Sequence, residues 1–239
     1  MEAVTARDAL LAVAGHELRN PITPILGRVE LMKRMIGRPN FEVEKLQKGL
    51  EQIEWLIGQY MKRATILLDV SRITSGRLEL NRVSTDVSNL VQQVVENFRP
   101  IADRAGCDLT IELPDDVLLA SGDMLALEEI LDNLVSNAIK YGGGAPVIVH
   151  GARDIAADCV RIEVRDSGPG IPQADQERIF ERFERAVEPR ERNGGFGVGL
   201  WIVRQLTEAM GGKIDVHSGT GAGSTFCVTL PAWCSKDGK

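Results

Sequence analysis

The chain has 239 residues, 44% of them hydrophobic and only 5% aromatic, with a net charge of −6. That is enough apolar material for a mainly aliphatic core in one or two domains, and the acidic balance points away from nucleic acid as a partner. Cys107, Cys159, Cys227 and Cys234 are scattered without a CxxC pair, which fits reduced thiols rather than a disulfide framework or a zinc site. No apolar run approaches ~18 residues and no signal peptide follows Met1, so a cytoplasmic location is expected. A membrane segment could lie upstream if the chain is a fragment.

Residues 5–36 read as one long helix. Leu11, Leu18, Ile25 and Met32 recur every seven positions, and Gly15, Ile22, Val29 and Ile36 form a second such row. This is the pattern of a helix that buries one seam against partner helices. His16 falls at the edge of the seam, Glu17 follows it, and Asn20 lies one turn on along the same face. A histidine beside a carboxylate is a tunable nucleophile. Taken alone it is a surface histidine on a bundle helix. Pro21 and Pro24 deprive the carbonyls of Glu17 and Asn20 of their partners, so a kink is expected there.

Gly37-Arg38-Pro39-Asn40 supplies a turn, and a second helix is expected from about 42 to 74. Its seam is Leu46, Leu50, Ile53, Ile57, Tyr60, Ala64 and Leu67, with Trp55, Leu56 and Leu68 adding apolar surface off it. A lone hairpin cannot cover all of this. Dimerisation through residues 5–74 into a four-helix bundle would.

An extended linker is expected over 78–83, and a domain boundary near Ser84. Beyond it the pattern predicts a helix at 86–104, strands at 108–113 and 117–120, a helix at 123–140 and strands at 146–151 and 159–165. A short helix at 176–183, a helix at 197–210 and a hairpin of strands at 213–217 and 224–230 complete it. This order suggests one sheet with helices on one face. The two expected domains are 1–80 and 84–232.

Four stretches of the second domain carry polar chemistry. Asn133 and Asn137 are one helical turn apart, with Lys140 and Tyr141 just beyond. Neutral oxygens on a helix suit a magnesium ion that keeps most of its waters and binds substrate phosphates. Asp166-Ser167-Gly168-Pro169-Gly170 follows a strand, where glycines let backbone approach a flat ligand and the carboxylate accepts from an amine. Phe180 and Phe183 form an aromatic pair beside basic residues including Arg185. Gly194-Gly195-Phe196-Gly197-Val198-Gly199-Leu200 leads into a helix, where exposed backbone N–H groups can meet phosphate oxygens. It follows no strand of a βαβ unit, so a dinucleotide site is disfavoured. The charged stretch 184–193 before it reads as a lid over a nucleotide. Each stretch alone also has a plain reading as polar surface, tight turn, core packing or loop.

In their order and spacing, however, these stretches resemble the sensor histidine kinases of two-component signalling along almost the whole chain. His16-Glu17-Leu18-Arg19-Asn20-Pro21 is similar to the family's H box, 133–141 to its N box, and 166–170 to its G1 box. Phe180 to Phe183 resembles the F box, and Gly195, Gly197 and Gly199 the G2 box. Arg72-Ile73 with Ser75-Gly76-Arg77-Leu78 matches the usual end of the second bundle helix. Asn20 stands where many members have threonine, and Phe196 at a place often held by a small residue.

The resemblance implies a dimeric HisKA-type bundle bearing the phosphorylatable histidine, followed by a Bergerat-type ATP-binding α/β sandwich. It implies ATP-dependent phosphorylation of His16, with Glu17 taking its proton, and transfer to an aspartate on the receiver domain of a response regulator. Mg2+ falls to Asn137 and Asn133. The nucleotide falls to Asn133, Asn137, Lys140, Tyr141, Asp166, Gly168, Gly170, Phe183, Arg185, Gly195, Gly197, Gly199 and Leu200.

Gyrase-like and Hsp90-like relatives of the ATP fold carry a water-activating glutamate where Asn133 stands. An amide cannot serve as that base, which favours phosphoryl transfer over hydrolysis. Asn20 suggests a phosphatase activity toward the regulator as well. The competing reading is a degenerate dimeric scaffold without phosphotransfer, against which the intact boxes argue. An upstream sensor domain is expected to be missing from this chain. His150 and His217 fall in predicted strands and are read as structural.

Overall fold

A computed structural model describes residues 22–36, 43–184 and 197–234. The chain divides between Arg77 and Leu78 into two compact units.

The first unit is a helical hairpin of α1 (Ile22–Met35) and α2 (Val43–Thr74). Met32 is buried against Gly49, where an added Cβ would come within 2.9 Å of the Met32 sulfur, and Val70 is also buried. Ile25, Val29, Ile53, Tyr60, Ala64 and Leu67 are half-buried along the seam. Leu50, Trp55, Ile57, Met61 and Leu68 stay exposed, more apolar surface than a solvated helix face carries. The expected kink, together with His16, Glu17 and Asn20, lies outside the described residues.

The second unit begins with β1 (Val83–Asp86), then α3 (Val87–Ala105), β2 (Leu109–Glu112), β3 (Leu119–Gly122) and α4 (Met124–Tyr141). Strands β4 (Val147–Asp154) and β5 (Cys159–Asp166) follow, then two 3-10 turns (Gln173–Asp175 and Arg178–Phe180). Helix α5 (Gly199–Ala209) and strands β6 (Lys213–Ser218) and β7 (Ser224–Pro231) complete it. The main sheet runs β2-β4-β5-β7-β6, with β2 parallel to β4 and every other pair antiparallel.

The sheet's inner face is set by register. Val149, Val164 and Phe226 form one cross-strand row and Ile162 and Val228 belong to the next, all of them buried beneath the helices. Helix α4 is the central helix, packed between α3 and α5 and over β5. It begins at Asp123, whose carboxylate accepts the Ala126 N–H at 3.0 Å. Its apolar side, including Leu127, Ile130, Leu131, Leu134 and Val135, is fully buried. Each such side chain contributes roughly 1.5–3 kcal/mol on leaving water. Helix α3 is capped in the same way by Asp86 and stopped by Gly106 at φ 68°.

Three local expectations change. The sheet is not single: β1, which spans the expected end of the linker at 83 and start of the helix at 86, pairs antiparallel with β3 in a separate two-stranded sheet. Thr85 is buried there and its hydroxyl donates to the Gly122 carbonyl at 2.9 Å. The helix expected at 176–183 is only the 3-10 turn Arg178–Phe180, preceded by another at Gln173–Asp175, because Glu181 is extended and Phe183 has φ 66°. Helix α5 begins at Gly199 rather than 197, since Gly197 sits at φ 68°, outside the right-handed helical region.

Candidate active site

Helix α4 turns its polar stripe away from the core. On it the Asn133 amide nitrogen donates to the Glu129 carbonyl at 2.8 Å. Its Oδ1 faces the start of α5, where a Cβ added at Gly199 would lie 2.7 Å from it. Glycine at 199 is thus what lets α5 approach Asn133. Asn137 is half-buried one turn further along. Lys140 and Tyr141 close the stripe, the lysine Nζ donating to the tyrosine hydroxyl at 3.1 Å and lying 4.7 Å from the ring centroid.

The end of α4 meets the turn that follows β5. A Cβ at Gly168 would fall 2.5 Å from the Tyr141 carbonyl and 3.2 Å from the Gly142 Cα, so only glycine permits this contact. The Gly168 N–H donates to Asp166 Oδ1 at 2.8 Å, folding the turn back on the carboxylate. Burial pushes the Asp166 carboxyl above the ordinary carboxylate range, and the backbone N–H groups of Gly168 and Ser224 pull it partly back. Gly170 has φ 71°.

Residues 175–184 and the start of α5 are joined by several contacts. The Phe183 N–H donates to the Gly197 carbonyl at 2.8 Å. Arg178 pairs with Asp175 at 3.1 Å and with Glu184 at 2.7 Å, while the Arg182 guanidinium lies 4.9 Å from the ring centroid of Trp201 on α5. Phe183 is partly exposed, whereas Phe180 is core, edge-on to Phe226 with centroids 6.4 Å apart. Val198, the N-cap of α5, has no side-chain acceptor. Among the described residues, the first-turn N–H groups of Gly199 and Leu200 therefore receive no cap from the N-cap side chain, and they suit an anion.

The fold thus brings together Asn133, Gly199 and Leu200 at one end of the stripe, and Lys140, Tyr141, Asp166 and Gly168 at the other. Tyr141 is eight residue steps along α4 from Asn133, about 12 Å of helix. The sequence-predicted residues Arg185 and Gly195 lie outside the described residues. No group of three or more His, Cys, Asp and Glu side chains able to hold a metal occurs among the described residues. A cation here would rest on amide oxygens and substrate phosphates, which suits magnesium. His150 and His217 lie on strands β4 and β6, within the sheet.

Sequence reasoning missed a second layer behind Asp166. The β6–β7 hairpin was expected as a hairpin, but nothing in the sequence reading laid it against the Asp166 turn. The Gly221 N–H donates to the Pro169 carbonyl at 2.6 Å, and a Cβ at Gly170 or Gly223 would overlap the carbonyls of Gly219 or Asp166. Ser218, Ser224 and Gln176 complete this layer. The one signal for it was the spacing Gly219, Gly221, Gly223, too many glycines for a two-stranded turn alone.

Comparison with known proteins gives the following. Residues 6–76 match the His Kinase A (phospho-acceptor) domain, and residues 122–233 match the family of histidine kinase-, DNA gyrase B-, and HSP90-like ATPases. Histidine protein kinase DivJ of Caulobacter vibrioides is 35% identical over 235 residues, covering 96% of this chain and 38% of DivJ. The chain spans less than two fifths of the length of such relatives. Among solved structures, histidine kinase ThkA in complex with response regulator protein TrrA aligns with a TM-score of 0.68 at 27% identity, over 97% of this chain and 64% of that one. Full-length ShkA in complex with AMPPNP aligns with a TM-score of 0.65 at 26% identity, over 95% and 46%.

Proposed function

The chain belongs to the sensor histidine kinases, and from that membership and the site's geometry we propose that it phosphorylates itself on His16 at the expense of ATP and passes the phosphoryl group to a response regulator. The observation that carries this reading is the arrangement around α4. A half-buried carboxylate stands at one end of the polar stripe, and a helix start whose N-cap valine offers no side-chain cap stands beside an amide at the other. A nucleoside triphosphate lying along the helix bridges them.

In this reading Asp166 accepts from the adenine amine. Lys140 and the backbone of Gly197 and Gly199 steady the phosphates, with Arg185 and Gly195 contributing from the adjoining segment. Tyr141, Phe183 and Leu200 line the nucleotide. Asn137 and Asn133 hold Mg2+, whose charge offsets that of the phosphates. His16 attacks the γ-phosphorus. An N–P bond forms, the P–O bond to ADP breaks, and Glu17 takes the imidazole proton. Catalysis is chiefly positioning and charge neutralisation. Asn133 has no basic group to offer water, which favours transfer over hydrolysis.

The solved relative ThkA is described with a response regulator protein, and by analogy the acceptor here is an aspartate on a receiver domain. The apolar surface left on α1 and α2 fits a homodimer through residues 5–74. We take residues 1–80 as the dimerisation and phosphoacceptor unit and 84–232 as the ATP-binding unit. The kinase core would operate in the cytoplasm, below a sensory region that the greater length of the relatives accommodates. No helix among the described residues is long and apolar enough to cross a membrane.

The test is incubation of the purified protein with γ-labelled ATP and Mg2+. Label that is stable in alkali, lost in acid and absent from His16→Gln is the expected result. Nucleotide turnover with no label on the protein would overturn the assignment.

A further inference from the structure

Ser218, Ser224 and Asp166 occupy one cross-strand row at the end of the sheet, through the pairs Ser218↔Ser224 and Asp166↔Ser224. In that row the Ser218 hydroxyl has a complete and consistent set of partners. It donates to the Gly223 carbonyl at 2.7 Å, accepts the Ile171 N–H at 2.8 Å, and lies 3.0 Å from the Ser224 hydroxyl, which can donate to it. Gln176 acts from the other side. Its amide nitrogen donates to the carbonyls of Ile171 at 3.0 Å and of Ser218 at 2.8 Å. Both backbone groups of Ile171, the residue after Gly170, are thus bound by this pair of side chains. The turn that carries Asp166 has its far end fastened to the β6–β7 hairpin.

We infer that Ser218 is a positioning residue for adenine recognition, acting with Gln176 to hold the 166–171 turn so that the Asp166 carboxylate meets the amine of the base. This rests on the proposed nucleotide reading and extends it to a residue that does not touch the nucleotide. One backbone bond, from the Gly221 N–H to the Pro169 carbonyl, holds the middle of the turn, and its end at Ile171 is held by side chains. The Asp166 turn contains Pro169, which has no N–H, and two glycines, which are the most flexible residues in a loop. Without Ser218 the Ile171 N–H loses its partner, and a half-buried donor left unpaired is a driving force for the turn to shift. A shift of the turn moves Asp166 relative to the amine and leaves the phosphate end, at Asn133 and Gly199, in place.

That separation gives the test. Binding of ATP is compared with binding of purine riboside triphosphate, which lacks the 6-amino group, for the parent chain, Ser218→Ala, Ser218→Thr and Asp166→Asn. Ser218→Ala is expected to weaken ATP about tenfold, the cost of one lost hydrogen bond to a directed carboxylate. It should leave the affinity for the amine-free analogue within about twofold. Ser218→Thr keeps the hydroxyl and restores ATP binding. Gln176→Met, which loosens the same clamp while keeping bulk, reproduces the selective loss if Ser218→Ala does not fold.

If Ser218→Ala or Gln176→Met weakens both nucleotides equally, or neither, while Asp166→Asn discriminates them, the positioning role is wrong and the adenine reading stands. If Asp166→Asn also fails to discriminate, the adenine reading falls and takes this inference with it.

Discussion

Asp166→Asn separates the ligand's need for a carboxylate from the fold's. The side chain keeps its shape and an oxygen to accept the Gly168 N–H, a 2.8 Å bond in the parent, so the turn keeps its closing bond while the Ser224 N–H meets a neutral side chain. What is lost is the second oxygen, replaced by an NH2 that points a donor at the adenine amine. A charge-assisted hydrogen bond is worth roughly 1.5–3 kcal/mol, so ATP affinity should fall about 10- to 150-fold. The apo protein should not lose stability, because burial already disfavours the charge. A carboxyl held above its ordinary range binds its proton more tightly folded than unfolded. Its contribution to stability is therefore present at low pH and is lost as pH rises through the raised value. Nucleotide binding has the opposite sign, since the amine needs the ionised form. Affinity should drop as pH falls through that raised value, above the usual carboxylate range, and the variant should lack this dependence. Calorimetric titration with ATP across mildly acidic to neutral pH, paired with melting of the apo protein, measures both. Unchanged affinity, or a variant that melts many degrees lower, would refute the reasoning.

Two further outcomes can be measured, one from the site's geometry and one from the H-box resemblance. Gly199→Ala places a methyl 2.7 Å from the Asn133 amide oxygen. That side chain can swing aside, so melting should shift little, while labelling by ATP should fall tenfold or more as Asn133 leaves its place at the start of α5; equal losses of stability and activity would contradict this. On the H-box resemblance, Asn20→Ala should leave labelling of His16 near normal but slow the loss of phosphate from the regulator, as expected of an amide that orients a water; regulator dephosphorylation at the parent rate in a normally melting variant would sink that role.

The sequence was legible where one element carries both its own fold signal and the site. Helix α4 is the clearest case. Asp123 marks its start, its apolar side repeats at helical spacing, and Asn133, Asn137, Lys140 and Tyr141 fall on the remaining stripe by periodicity alone. The Asp166 turn was legible for a similar reason, since an alternating strand ends at a carboxylate followed by glycines. What failed were features decided by partners distant in sequence. Strand β1 is four residues long with a single buried side chain, Thr85, and only its pairing with β3 makes it a strand. The residues at 176–183 have helical character, but the Gln176 amide is taken by the carbonyls of Ile171 and Ser218, and Phe180 is drawn into the core against Phe226. The backbone between them follows the side chains. Ser218 is the extreme case. Nothing in its neighbours along the chain distinguishes it from any serine at a strand end, and its importance arises only when a loop 47 residues away is laid against it. A motif search recovers groups that touch the ligand because their spacing is local. The groups that aim them are recovered only from the packed structure, and the selective loss of ATP over its amine-free analogue in Ser218→Ala is the measurement that would separate aiming from touching.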